Sequence, residues 1–442
     1  MKKLSYLAEL ILFLLFCNTI PLWTETSLPT AVMVLITVFL SLAFLWILIR
    51  REKTEIDNSR LRRMKRGCSQ LRLGGFAAAA EIVILTVWFI VTDASPLAKT
   101  FAVIMPILAV GLVVIAGGIR VASSSKQIKL TDHILMMMMW WFPIVNIFLI
   151  RKFYKTARRE FIVESDKIEL ENARAENEIC KTKYPVLMVH GIFFRDWQYL
   201  NYWGRVPASL KRNGAVIYYG KQQSARAVAD CGKEVRDALM KVLEETGAEK
   251  VNIIAHSKGG LDSRYAISCL GMDKYVATLT TINTPHKGCD MVDFLLDKLP
   301  DSFAEFLARR YNKIFSKLGD KDPDFLAGVH DLSAIRAKAY DEEMPDSPEV
   351  SYRSVMSVMS SAGSASFPLN ISYMLIKKLN GANDGLVWEE SAKHGSYQLI
   401  TTPQKRGISH GDVIDLMREN IENYDVREFY VDMVRRLAQE GF

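Results

Sequence analysis

Ser257 stands in the segment Ala-His-Ser-Lys-Gly, which has the small-x-Ser-x-Gly spacing of a nucleophile elbow. In such an elbow the serine lies on a sharp turn between a strand and a helix, so the residues two places before and after it must be small. Ala255 and Gly259 satisfy this, although the first place is usually glycine. The apolar run Val251–Ile254 predicts the strand, and Lys258–Leu270 predicts the helix. We therefore expect Ser257 to be a nucleophile in acyl transfer.

Two backbone N–H groups are expected to bind the negative charge that acyl transfer develops on a carbonyl oxygen. One is the N–H of Lys258, which follows the nucleophile at the start of the predicted helix. The other is the N–H of Ile192, because the apolar strand Val186–Val189 runs into His190 and Gly191 where this donor belongs. We interpret the side chain of His190 as structural.

A carboxylate and then a histidine should follow the nucleophile along the chain. Asp384 is the candidate acid, because it lies between Asn383 and Gly385 after the apolar stretch Ile371–Leu379. We interpret that stretch as a strand and the residues after it as a turn. The acid would fix the tautomer of the catalytic imidazole and stabilise the imidazolium that forms.

Three histidines are candidates for the base. His286 precedes the acid in the chain, and His394 follows it closely, before the next strand-like run. His410 follows that run, Tyr397–Thr402, in a glycine-flanked loop and heads a predicted helix, Asp412–Asn420. We favour His410 as the group that takes the serine proton, with His394 as the alternative.

The elements that must position these residues alternate along the chain from Tyr184 onward. Short apolar runs typical of buried strands are separated by longer amphipathic segments typical of helices. This alternation predicts an α/β domain over residues 184–442, with a doubly wound, mainly parallel sheet. An insertion at about 290–340 contains amphipathic segments with Phe and Leu stripes, and it is either a lid or a plain packed cap.

Five stretches of this domain are specific when taken together: YPVLMVHG at 184–191, AHSKGGLDSRY at 255–265, TTINTPHKG at 280–288, NDGLV at 383–387 and HGD at 410–412. In this order they resemble the bacterial triacylglycerol lipases, which have the α/β-hydrolase fold. The resemblance implies that Ser257, Asp384 and His410 form a catalytic triad, and that His286 belongs to a structural loop.

The resemblance also bears on metal binding. Many of these lipases bind calcium through two aspartates near the catalytic histidine. Asp412 matches one of them, but no acidic residue stands at the expected place of the other, upstream of Asp384. The chemistry requires no cofactor, so a structural calcium ion at Asp412 is the one metal that the resemblance suggests.

The N-terminal third of the chain is apolar. It contains five apolar stretches, 4–23, 31–49, 76–92, 101–119 and 134–150. Because a helix needs about 20 apolar residues to cross the hydrocarbon core, residues 1–150 are predicted to be a transmembrane region of four or five helices. The loop between the second and third stretches is rich in Lys and Arg and should be cytoplasmic.

The fifth stretch decides on which side of the membrane the α/β domain lies. If it crosses, the basic cluster Arg151–Arg159 lies outside, against the distribution of charge in the other loops. It is short and interrupted by Pro143, which also suits a re-entrant or interfacial segment and would leave the domain cytoplasmic. We favour the second reading. Glu81, inside the third stretch, is interpreted as a solvated interfacial carboxylate.

Charge and cysteine content limit the classes of partner and of site that the sequence predicts. Residues 151–183 are charged and rich in helix formers, which predicts a helical stalk. The formal net charge is +7, and many basic residues lie beside the apolar stretches, which favours lipid headgroups over nucleic acid as partners. The six cysteines are scattered without CxxC spacing, which argues against metal ligation or a disulfide scaffold.

These patterns predict an integral protein of the cell membrane that cleaves carboxylic esters of lipids through an acyl-enzyme on Ser257. Two alternatives stay open: an acyltransferase or lipid-remodelling deacylase with the same triad, and a membrane scaffold with an inactive hydrolase domain. Every expected catalytic position holds a competent residue, which argues against the scaffold. The patterns make no prediction of oligomeric state.

Overall fold

The computed structural model describes residues 2–54, 56–139, 141–192, 201–223, 225–298, 300–317, 319–403 and 405–442. The chain divides into two compact units, Met1–Leu170 and Glu171–Phe442. The division falls inside the segment 151–183 that is predicted to be a stalk. Most of that segment belongs to one long helix, which begins at Pro143 and ends at Arg174.

The N-terminal unit is helical. Its helices are α1 (Lys2–Cys17), α2 (Thr19–Glu25), α3 (Thr30–Ile49), α4 (Ser59–Val91), α5 (Pro96–Ser124), α6 (Leu130–Met138) and α7 (Pro143–Arg174). Three of them, α3, α4 and α5, are long and apolar enough to cross a membrane, and α1 and α2 pass the same test together but are bent by 64°. Many large apolar side chains of these helices point outward, as they would toward lipid. The fifth apolar stretch divides between α6 and the start of α7.

Glu81 does not lie where the sequence interpretation puts it. Its side chain is buried in α4, and both carboxylate oxygens accept hydrogen bonds from the amide of Asn18, at 2.8 and 3.0 Å. The reading as a solvated interfacial group is therefore wrong, because a polar partner far away in the sequence is available to this carboxylate.

The C-terminal unit is built on six parallel strands. Its elements are β1 (Val186–Val189), α8 (Val206–Arg212), β2 (Ile217–Tyr219), α9 (Val228–Thr246), β3 (Val251–His256), α10 (Lys258–Cys269), β4 (Val276–Ile282), α11 (Asp290–Lys298), α12 (Asp301–Lys317), α13 (Phe325–His330), α14 (Ala334–Glu343), β5 (Ser351–Ser357), α15 (Leu369–Leu379), β6 (Ser396–Ile400) and α16 (Val426–Gln439). The strand order across the sheet is β2-β1-β3-β4-β5-β6, and every neighbouring pair is parallel.

Helices cover both faces of this sheet because successive side chains of a strand point in opposite directions. In β1, Val186 and Met188 pack into a core with residues of α8 and α16. Leu187 and Val189 pack into a second core with residues of α9 and α10. The predicted fold class, a doubly wound parallel sheet of the α/β-hydrolase type preceded by a helical region, is confirmed.

Two local predictions near the C-terminus are wrong, and one strand was missed. The stretch read as a strand before the acid is the helix α15, whose apolar residues repeat at helical spacing, with Tyr373 and Ile376 buried. The helix expected over Asp412–Asn420 is only a single 3-10 turn, Asp412–Ile414. Strand β5 was not predicted, because its first half is polar and only half-buried.

Leu187 gives a test of this core. It is fully buried in the middle of β1, so Leu187→Ala should lower the free energy of unfolding by about 2–5 kcal/mol, through lost burial and the cavity left behind. Leu399→Ala, on the edge strand β6 and 39% exposed, is the matched control and should cost less than about 1 kcal/mol. Urea unfolding of the full chain in mild detergent, followed by tryptophan fluorescence, measures both. Equal losses would contradict the assigned core.

Candidate active site

Ser257 alone joins the end of β3 to the start of α10. Its φ is +54°, in the left-handed region that a residue with a side chain rarely adopts. Its N–H donates to the carbonyl of Ile282 at 2.9 Å, and its carbonyl accepts from the hydroxyl of Thr284 at 2.8 Å. The last residue of β4 and the loop directly after it therefore hold the strained turn in place, as a nucleophile elbow requires.

Three glycines let neighbouring backbone segments approach this turn. A Cβ atom added to Gly259 would lie 2.3 Å from the carbonyl oxygen of His190, and one on Gly191 would lie 2.8 Å from the Cβ of Ser257. A Cβ atom on Gly260 would lie 2.2 Å from the Thr284 hydroxyl. Position 259 therefore requires a small residue, because the loop that follows β1 contacts it.

The two predicted oxyanion donors flank this contact. Lys258 is the first residue of α10, so its N–H has no acceptor within the helix. Ile192 is buried and directly follows Gly191, which packs against Ser257. No backbone acceptor for either N–H occurs in the part of the chain that the structure describes.

The side chain of Lys258 has its own partner within α10. It is buried and forms an ion pair with Asp262, one turn further along α10, with Nζ 2.6 Å from Oδ1. Burial alone would lower the pKa of Lys258, but the Asp262 carboxylate raises it above its ordinary value. Asp262 therefore neutralises the charge of the Lys258 side chain. The backbone N–H of Lys258 remains available at the turn.

Asp384 is fully buried and lies against His410. The distance from its Oδ2 to the Nδ1 of His410 is 2.6 Å, and the backbone N–H of His410 also donates to the carbonyl of Asp384 at 2.9 Å. The other carboxylate oxygen accepts from the N–H groups of Leu386 and Val387, both at 2.8 Å. Since both oxygens are occupied, the carboxylate is held in one orientation and fixes the ring of His410.

The other two candidate bases, His286 and His394, lie together and away from the carboxylate of Asp384. His394 is 3.1 Å from Asp346 through Nε2, and its ring stacks on that of His286 with centroids 4.4 Å apart. Burial, together with His394 and Arg264 nearby, holds the pKa of His286 well below its ordinary value. Of the three candidate bases, His410 is the one that contacts Asp384.

His410 also packs beside the elbow. Its ring centroid is 4.5 Å from that of His256, the residue directly before Ser257. Among the described residues, no hydrogen bond joins the Ser257 hydroxyl to His410. Such bonds are often long in the absence of substrate and tighten when it binds.

Three further residues, which the sequence analysis did not single out, contact groups of the site: Asn283, Tyr202 and His256. Asn283, at the end of β4, donates to Oδ2 of Asp384 at 2.6 Å and to the hydroxyl of Ser357 at 2.8 Å. Tyr202 contacts Nδ1 of His256 at 2.6 Å through its hydroxyl. Burial, and then the neighbouring His410, hold the pKa of His256 well below its ordinary value. The one sequence signal for Asn283 was its place inside a family stretch, directly after a buried strand.

Asp412 does not fit a calcium ligand. One of its oxygens is 3.1 Å from the guanidinium of Arg406, and the other accepts from the backbone N–H and the hydroxyl of Ser409, at 3.0 and 2.8 Å. Within the described ranges no group of three or more His, Cys, Asp or Glu residues could hold a metal ion. No chemical step is therefore assigned to calcium.

Comparison with known proteins finds similarity to lipases. Residues 183–286 match the family model of the class 2 lipases. This segment resembles a class 2 lipase. The triacylglycerol lipase of Burkholderia plantarii is 32% identical over 185 residues, which are 39% of this chain and 51% of that protein. That of Pseudarthrobacter phenanthrenivorans is 32% identical over 176 residues, 37% of this chain and 54% of that protein.

The lipase-like part thus spans about half the length of these curated relatives. Among solved structures, Staphylococcus hyicus lipase matches with 18% identity and a TM-score of 0.47, over 59% of this chain and 97% of that one. The sequence matches confirm the predicted resemblance to the bacterial triacylglycerol lipases.

Gly259 tests the packing of the elbow in this lipase-like domain. Gly259→Ala should lower the free energy of unfolding by about 1–3 kcal/mol, because the new methyl group meets a backbone oxygen that cannot move away freely. Gly363→Ala is the control, since a Cβ atom there has only one neighbour, at 3.7 Å. Urea unfolding compares the two, and a neutral Gly259→Ala would contradict the close approach of the two loops.

Proposed function

We propose that this chain is a membrane-anchored serine ester hydrolase of the lipase type, which cleaves carboxylic esters of lipids. The observation that carries the proposal is the 2.6 Å contact between Asp384 and His410 beside the strained turn of Ser257. The match of residues 183–286 to the class 2 lipases, together with similarity to bacterial triacylglycerol lipases, supports an ester as the substrate. Together these observations support a reaction in which the acyl group of the ester is transferred to water.

The proposed mechanism uses the groups of the site in two half-reactions. Nδ1–H of His410 donates a hydrogen bond to the Asp384 carboxylate, which leaves Nε2 free to accept the proton of Ser257 as the hydroxyl attacks the ester carbonyl. The N–H groups of Ile192 and Lys258 bind the resulting oxyanion. His410 then protonates the leaving alcohol, and the acyl group stays on the serine. Water, deprotonated by the same imidazole, releases the carboxylic acid and regenerates the hydroxyl.

A lipid substrate is supported by the surface of the insertion after β4. Helix α12 exposes Phe303, Phe306, Leu307 and Ile314, which recur at helical spacing along one face. An exposed apolar face of this kind marks an interaction surface, here for an aggregated lipid. This favours a lid over a plain cap, since a cap packed for stability would bury these side chains.

Membrane anchoring is supported by the three long apolar helices of the N-terminal unit. The basic loop between α3 and α4 favours an orientation with this loop in the cytoplasm. Among the described helices, neither α6 nor α7 is both long and apolar enough to cross a membrane, which supports a cytoplasmic catalytic domain. Protease treatment of intact cells tests the side, because a cytoplasmic domain stays uncut until the membrane is opened.

Ser257→Ala tests the proposed activity. Hydrolysis of p-nitrophenyl butyrate by the full chain in mild detergent should fall at least about 1,000-fold, because the variant has no nucleophile. Ser360→Ala, at an exposed loop serine, should retain the wild-type rate. Equal rates for wild type and Ser257→Ala would refute the mechanism. Equal rates of fatty acid release and of ester loss would indicate hydrolysis. Acid release slower than ester loss would indicate transfer of the acyl group to another alcohol.

The base is tested by a pair of histidine substitutions. His410→Asn should lower the rate at least about 1,000-fold, because the proton of the nucleophile then has no acceptor. His394→Asn, whose side chain contacts Asp346 rather than Asp384, should keep the rate within about threefold. Steady-state kinetics on the same soluble ester compares them, and the reverse ranking would assign the base to His394.

A further inference from the structure

A cationic cavity lies in the N-terminal unit, separate from the residues of the candidate active site. Its volume is about 340 Å³, near the lower end of the ~300–1,000 Å³ range of small-ligand pockets. Six of its nine lining residues are arginines: Arg50, Arg51, Arg62, Arg63, Arg66 and Arg120. The remaining three are Ile49, Glu52 and Ser59. Neither hydrolysis of an ester nor anchoring in a bilayer requires such a cavity.

Acidic side chains balance only part of this charge. Buried Glu9 pairs with Arg50 at 2.6 Å and with Arg66 at 2.9 Å. Asp57 pairs with Arg62 at 3.1 Å, and Glu52, which lines the cavity, lies 3.7 Å from Arg50 and 3.8 Å from Arg66. Within the described ranges Arg51, Arg63 and Arg120 form no ion pair with an acidic side chain. The cavity therefore keeps an excess of positive charge, which an anion would relieve.

Part of the arginine cluster is structural and forms the floor of the cavity. Arg66 and Gln70 donate to the carbonyl of Ile47, and Arg120 donates to that of Leu48 at 2.7 Å. These are the carbonyls that the last turn of α3 leaves without helical partners. Arg51 and Arg63 differ, because they are exposed and line the cavity without a role in closing the helix end.

The cavity lies where the apolar parts of three helices end. Ile49 is the last residue of α3, whose 20 residues form an apolar span. Arg63 lies in the polar first part of α4, whose 33 residues would extend about 50 Å, well beyond a ~30 Å hydrocarbon core. Arg120 is near the end of α5. The guanidinium of Arg50 covers the ring of Trp46 at 4.8 Å, and tryptophan is enriched at the level of lipid headgroups.

We propose that this cavity binds the phosphate-bearing headgroup of an anionic membrane lipid. Guanidinium groups match phosphate oxygens in both charge and geometry, because two parallel N–H donors can meet two oxygens. The position at the end of the apolar spans presents the cavity to headgroups of the leaflet on the side of the α3–α4 loop. The bound lipid would fix the ends of α3, α4 and α5 relative to one another. The inference uses the membrane-embedded unit alone and does not depend on the ester hydrolase activity.

Binding of an ether-linked phosphatidylglycerol to the full chain in neutral detergent tests the proposal. The ether bonds prevent hydrolysis, and native mass spectrometry gives both stoichiometry and affinity. We expect one molecule to bind at least about tenfold more tightly than ether-linked phosphatidylcholine. The double variant Arg51→Gln/Arg63→Gln should weaken phosphatidylglycerol binding by roughly 30-fold, since each arginine near anionic lipid contributes a factor of roughly five. It should leave phosphatidylcholine binding unchanged.

The matched control is Arg151→Gln/Lys155→Gln, which removes the same charge from exposed positions of α7. It should change phosphatidylglycerol affinity by less than about threefold, and Arg51→Lys/Arg63→Lys should retain most of the affinity. Equal losses in the two glutamine pairs, or no preference for phosphatidylglycerol, would overturn the proposal in favour of a diffuse basic surface. Inorganic phosphate that displaces the lipid at equal concentration would overturn the lipid assignment and identify a free phosphate site. Thermal unfolding midpoints check that every variant is folded.

Discussion

The carboxylate of Asp384 joins parts of the C-terminal unit that lie far apart in the sequence. It accepts hydrogen bonds from Asn283 after β4, from two N–H groups of its own turn, and from the ring of His410 in a later loop. A buried carboxylate is stable only when its oxygens are satisfied, so each of these contacts is required by burial as well as by chemistry. Loss of any of them would release the imidazole from its fixed orientation.

The sheet supplies the other half of the site. Strand β3 is buried on both faces, and it delivers Ser257 to a turn whose φ is unfavourable for serine. Such strain persists only when the surroundings enforce it. Here Ile282 at the end of β4 and Thr284 just after it enforce the strain, and the loop after β1 packs against the turn at Gly191 and Gly259. The same contacts bring the two candidate oxyanion N–H groups to the serine, so positioning and stability depend on one set of packed residues.

The sequence predicted what depends on local pattern. The strand, turn and helix around Ser257 are contiguous, and the acid and base followed from their order and from the resemblance. Contacts between distant residues were not predictable in this way. Asn283 meets Asp384 from 101 positions away, and Asn18 meets Glu81 from 63 positions away. Helix α15 was mistaken for a strand because its apolar run fits either period when the partner that buries it is unknown.

The proposed chemistry requires Ser257 to be an activated nucleophile, and covalent labelling measures this directly. A fluorophosphonate probe reacts with a serine whose proton is accepted by a neighbouring base, and peptide mapping by mass spectrometry locates the adduct. We expect a single adduct on Ser257 in the full chain, formed much more slowly in Asp384→Asn, where the tautomer of His410 is no longer fixed. An adduct on another serine, or equal labelling rates in wild type and Asp384→Asn, would contradict it.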